Sequence, residues 1–242
     1  MKSKTENIRD ISEAWKILGD LKLIDTIFNH ISSVMDDAPN SFQLAMNPNG
    51  FLPNEILENN VCVFPLKKYS IVDASQLGVN ADGLQLHTEL HLARMKQGVI
   101  IHTHSPNTIA VGNYEKGLLP LSQTAIEFVG DIEMVEYDGV FRSNVLTPQL
   151  ISFAKKGGVA LLRHHGVLIV ADTIEEATYL TYYMEEACKI QVLTLSQGGI
   201  FSTPNQSAID KAQEVLRNDR SQAAKELFAA FQRQLKSNYD AK

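Results

Sequence analysis

An α/β fold is what this sequence predicts, on three observations. Its 242 residues are 44% apolar and 21% charged, enough to bury a sizeable core beneath a charged surface. Segments whose apolar residues recur at helical spacing alternate along the chain with short segments of strand character. No internal repeat, low-complexity tract or Pro/Gly/Ser linker interrupts that alternation, so a single domain is expected.

Taken in order, Ile8, Ile11, Trp15 and Leu18 recur every three to four residues and predict a helix from Ile8 to Leu23, with Asp25 to Asn29 as its candidate extension. Ile31–Met35 and Ser41–Met46 read as a strand pair around the turn at Asp36–Asn40, and Asn47–Gly50 is a second turn. Val61–Pro65 and Tyr69–Asp73 are further short strands. Thr88–Lys96 reads as a helix stopped by Gly98, and Val99–Thr103 as a strand. Ser105 as N-cap and Pro106 in the first turn start a helix that carries Ile109, Ala110 and Val111 to Gly112. Val159–Val170 is a long strand candidate. Thr173 with Glu176 forms a capping box for a helix reaching about Leu195, whose stripe is Ala177, Leu180, Met184, Ala187 and Gln191. From Ser207 to Leu235 the pattern is helical again, with Leu227, Phe228, Phe231 and Leu235 facing a core or a partner.

Several function classes are disfavoured by composition. The longest apolar runs, such as Val99–Ile101 and Val159–Leu162, fall far short of the roughly 20 residues that cross a bilayer. A net charge of -6 with no Lys/Arg block longer than a pair offers nucleic acid little to bind. The N-terminus lacks the apolar segment and cleavage site of a secretion signal. Cys62 and Cys188 lie far apart in no C-x-x-C pattern, which suits reduced core thiols and a cytoplasmic location.

The chemistry concentrates on histidine. In Ile101-His102-Thr103-His104 the two imidazoles sit at i and i+2 of a strand, on the face shared with Ile100, so both can converge on one ion. Two satisfied structural histidines is the competing reading of an isolated H-x-H. Arg163-His164-His165-Gly166 follows another apolar strand, and its glycine permits close approach or an unusual backbone angle. Three imidazoles would leave coordination positions open, the form of a catalytic divalent-metal site. A surface His164 beside a buried, backbone-bonded His165 is the alternative.

At these residues the chain resembles the class II aldolase/adducin family. HTELHLARMKQGVIIHTHSPNTIAV is similar to the family's helix-then-HxH segment, LLRHHGVLIVADTIEEATYL to its "NHG" segment, and FNHIS to its N-terminal signature. The resemblance places His102, His104 and His165 on the family's three metal-binding histidines. GLQLH, GLLPLSQTAI, VEYDGV and EEACKIQVLTLSQGG are closer to the adducin-like branch than to sugar-phosphate aldolases. The implied fold is a three-layer α/β/α sandwich with a mainly antiparallel central sheet, one domain over about residues 5 to 235. The family usually forms homotetramers with sites at subunit borders.

Departures from the aldolase pattern narrow the expected chemistry. The family's acid/base glutamate, four residues before the equivalent of His91, corresponds to His87, and Glu89 is two positions out of register. On a helix that offset rotates Glu89 away by about 200°. The asparagine of the Gly-Asn motif corresponds to His30, the threonine-glycine pair to Asn49-Gly50, and the paired serines to Gln85-Leu86, so a phosphosugar is disfavoured. His87 stands as a neutral base, a fourth ligand or a packing residue, and His91, one turn on, as support for the site. Tyr137 is the family-position candidate for a general acid or a buried packing residue, and Arg163 a candidate for binding a substrate carboxylate. Tyr179, Tyr182 and Tyr183 read as helix packing, and Asp36-Asp37 as a solvated turn.

The function implied is a metal-dependent lyase, with zinc or else manganese, cleaving a C–C bond of a small hydroxy-carbonyl or carboxylate substrate through a metal-stabilised enolate. A decarboxylase or epimerase shares that stabilising step. From a different class comes a non-catalytic oligomerising or binding module like the adducin head. An intact histidine set and an end at Lys242, without a long basic tail, favour the enzyme.

Overall fold

A computed structural model describes residues 3–38, 41–94, 96–137, 139 and 147–240. The chain opens with helix α1 (Lys4–Asp20), capped by Ser3 and Glu6 in a reciprocal pair. Its apolar face, including Ile11, Trp15 and Leu18, is fully buried. The helix does not continue into Asp25–Asn29: Lys22 adopts a left-handed φ of 59° and the N–H of Leu23 returns to the Leu18 carbonyl at 2.9 Å, which ends the helix.

Strands β1 (His30–Ala38), β2 (Ser41–Met46) and β3 (Cys62–Pro65) form an antiparallel meander. The turn expected at Asp36–Asn40 includes Pro39 and Asn40, which lie outside the described residues. Tyr69–Asp73 is not a strand. Asp73 accepts from the backbone N–H of Ser70 at 2.7 Å, which closes a 3-10 turn over Ile71–Asp73 leading into helix α2 (Ala74–Leu77).

Helix α3 (Ala81–Arg94) begins before the expected Thr88, because the Asn80 side chain accepts from the N–H of Gly83 at 2.9 Å and caps it there. Strand β4 (Val99–Thr103) occupies the expected span, followed by helix α4 (Pro106–Gly112). Ser105 precedes that helix, but its hydroxyl donates to the Leu23 carbonyl at 2.9 Å instead of capping it. Helix α5 (Gln123–Phe128), strand β5 (Ile132–Val135) and helix α6 (Pro148–Lys156) have no counterpart in the sequence reading.

The long strand expected over Val159–Val170 is two, β6 (Gly158–Leu162) and β7 (Gly166–Ala171). The chain reverses between them because His164 takes a left-handed φ of 58° and the N–H of His165 bonds the Leu162 carbonyl at 3.1 Å. Helix α7 (Ile174–Ser196) is capped by Thr173 and buries its predicted stripe, and helix α8 (Gln206–Asp240) closes the described chain.

The sheet order is β3-β2-β1-β4-β7-β6-β5, with β5–β6 its one parallel pair among the described residues. Val99 and Ile101 pack with α1, α4, α7 and α8 on one face, whereas Ile100 packs with Leu86 and Leu90 of α3 and Phe153 of α6 on the other. This is the expected α/β/α sandwich. Burial of these apolar side chains contributes on the order of 1.5–3 kcal/mol each, and α3 lies over the face that carries the histidines.

Candidate metal centre

The central strand and the β6–β7 turn bring the three predicted ligands together. His102 is the penultimate residue of β4, His104 follows the strand, and His165 sits in the reversal, with one ligand nitrogen from each within 4.8 Å of the others. Gly166 makes this possible, since a Cβ there would lie 2.3 Å from the Thr103 carbonyl oxygen. Only glycine lets β7 start so close to the end of β4.

The buried His102 ring donates from Nδ1 to the Val167 carbonyl at 3.0 Å, which directs an unprotonated Nε2 toward its neighbours. Burial, reinforced by the surrounding imidazoles, holds its pKa well below the ordinary value. His165 is lowered to about 4 by burial and by His104, with the charge of Asp82 acting in the opposite direction. Neutral imidazoles at neutral pH are the form that binds metal. One nitrogen on the strand, one just beyond it and a third on the turn fit a divalent ion with open positions.

A cavity of about 190 Å³ opens on the triad, lined also by Phe28, His30, Asn80, Asp82 and Leu86. The β1–β4 register sets His30 directly opposite His102, and their rings stack at 5.6 Å. Burial is the main cause that lowers His30 to about 3. Gly83 makes room for it, as a Cβ there would meet the His30 ring at 2.8 Å.

The remaining predicted residues lie elsewhere. His87 and His91 are buried behind His30, their Nδ1 and Nε2 lying 2.6 and 2.9 Å from Ser32 Oγ. Neither lines the cavity. Arg163 lies outside the cavity lining, its Nε 2.8 Å from Glu136 and its Nη1 bonded to the Gly112 carbonyl. Tyr137 is 52% exposed and stands against the ring of His164. Asn49 and Gly50 form an exposed turn, with the N–H of Asn49 bonded to the Gly78 carbonyl. Of the proposed set, the structure gathers His30 with the triad and sets the others apart.

Sequence reasoning missed Asp25, Asn29, Asn80 and Asp82. Asn29 accepts the N–H of His104 at 3.2 Å, and Asp82 is the one carboxylate lining the cavity among the described residues. Asn80-Ala81-Asp82-Gly83 carried a usable signal, a cap residue with an acid in the next turn. A larger groove of about 980 Å³ lies between α1 and α8. Among the described residues it has no metal-ligating trio, so volume does not locate the chemistry.

Residues 9–192 match the Class II Aldolase and Adducin N-terminal domain, and the chain belongs to that family. Its relatives place it on the adducin-like side. It is 33% identical over 178 residues to alpha-adducin of Mus musculus, a match that takes in 72% of this chain and 23% of that protein. The chain thus spans about a quarter of that relative's length. An aldolase II superfamily protein from Pseudomonas syringae superposes with a TM-score of 0.85 at 26% identity, covering 98% of this chain and 95% of the other. L-fuculose 1-phosphate aldolase from Glaciozyma antarctica PI12 shares the fold, with a TM-score of 0.76 at 19% identity over 99% and 95% of the two chains. No helix among the described residues is long and apolar enough to cross a membrane.

Proposed function

We propose that this chain is a divalent-metal-dependent lyase acting on a small hydroxy-carbonyl or carboxylate compound. The observation that carries the reading is the convergence of His102, His104 and His165 on one point at the mouth of a cavity. Bound there, a zinc ion, or else manganese, supplies Lewis acidity toward a carbonyl oxygen. His30 and Asn80 shape the space beside it, and Asp82 is the carboxylate at hand for moving a proton. No proton transfer is assigned to His87, whose ring lies outside the cavity. With no lysine or arginine among the described lining residues, a phosphate group would find no basic side chain in this lining, which disfavours a phosphorylated substrate. We place this activity in one domain over residues 5–235, in a cytoplasmic homotetramer like those of the family.

Elemental analysis of untagged protein is the test. Near one equivalent of metal per chain, lost in His102→Ala, is the expected outcome. A metal-free chain that cannot be reconstituted overturns it. That result would favour a second reading, a non-catalytic binding module, which has support in the identity to alpha-adducin.

A further inference from the structure

The surroundings of His104 select which of its nitrogens can face an ion. The proton of His102 is on Nδ1, donated to the Val167 carbonyl, which leaves its Nε2 with a lone pair. Nε2 of His104 lies 3.0 Å from that nitrogen, so both rings turn Nε2 toward the same point. The opposite nitrogen, Nδ1 of His104, lies 3.4 Å from the side-chain amide nitrogen of Asn29. A metal takes the lone pair of Nε2, which leaves the proton of the neutral ring to Nδ1.

A second partner for Nδ1 is already in place. Asp25 Oδ1 lies 3.5 Å from it and is held there by the side-chain amide of Asn29. Asn29 also accepts the backbone N–H of His104, so one residue orients the carboxylate and fixes the chain that carries the ring. The segment between α1 and β1 thus serves the centre.

We infer that Asp25 is a positioning residue for the metal, the acceptor that stabilises the ligand tautomer of His104. With Nε2 on the metal, Nδ1–H of the neutral ring has the carboxylate of Asp25 as its acceptor. A carboxylate behind a ligating imidazole raises its basicity and fixes its orientation. The inference rests on the metal reading proposed above.

The test is zinc affinity of the whole chain, by competition with a chromophoric chelator, in the wild type, D25A, D25N and H104A. Ring ¹⁵N shifts of His104 are recorded with and without zinc. D25A is expected to bind zinc roughly ten- to a hundredfold more weakly. D25N, whose amide oxygen still accepts from Nδ1–H, should lose less. The zinc-bound His104 is expected to carry its proton on Nδ1. D25A affinity within twofold of the wild type, or a proton on Nε2 of His104 with zinc bound, overturns the inference. If H104A loses zinc while D25A and D25N keep it, the triad stands and the role of Asp25 falls. If the wild type and H104A behave alike, both readings fall. Should D25A fail to fold, D25N and the ring shifts decide.

Discussion

Ser32 stands between two buried imidazoles, with its hydroxyl 2.6 Å from His87 Nδ1 and 2.9 Å from His91 Nε2. One proton serves two nitrogens, so one imidazole accepts from Ser32 while the other donates to it. The far nitrogens, His87 Nε2 and His91 Nδ1, have no hydrogen-bond partner among the described residues. Ser32→Ala would therefore strip both rings of their bonds in the interior. Each orphaned group costs about 1–3 kcal/mol, so a loss of about 2–6 kcal/mol for the two is expected from urea unfolding of the metal-free protein, with metal stoichiometry kept. Wild-type stability in this variant would mean that the two histidines are satisfied some other way. The ligands themselves were legible, since an i, i+2 pair on a strand declares its shared face. Ser32 and Asn29 were not, because their roles depend on the pairing of β1 with β4, and spacing along the chain says nothing about register.

Elements with one apolar stripe were readable, and elements with polar interiors were not. Helix α7 buries Ala177, Leu180, Met184 and Ala187 along a single face, and its span followed from that pattern. Helix α3 buries Gln85, His87, Thr88 and His91 among its leucines, which erases the contrast between its faces. Its first turns were missed for that reason. The reversal between β6 and β7 was hidden because two buried strands joined by three residues read as one apolar run. At this junction Gly166→Ala is informative, as the new methyl would press on the Thr103 carbonyl and push β7 from β4. Overpacking of this kind costs about 1–3 kcal/mol. A lower melting temperature and reduced metal content are expected together. A variant with full stability and full metal content would show that this contact does not set the spacing of the ligands.

Across the whole molecule, burial leaves a store of neutral imidazoles. Burial is the main cause that lowers His30 and His91 to about 3 and His165 to about 4. The unfolded chain takes up these protons first, near the ordinary 6.5. Stability of the metal-free protein should fall as pH drops below 6.5, and the loss should continue until the folded rings also protonate, near 4 and then near 3. Within that window each ring contributes a slope of at most about 1.4 kcal/mol per pH unit. Urea midpoints at pH 7 and pH 5 would show it, and equal midpoints would mean that the rings are solvated. The layered architecture was legible only through family motifs, since periodicity alone does not assign strand order. The topology also sets how the centre would come apart. His102 lies in a strand paired on both sides, whereas His104 and His165 stand just beyond strand ends. Backbone amides in such a central ladder exchange with solvent only on global opening, while turns and strand ends open locally at far lower cost. An ion held here would leave through fluctuations of the turn, with His102 as the last contact to break.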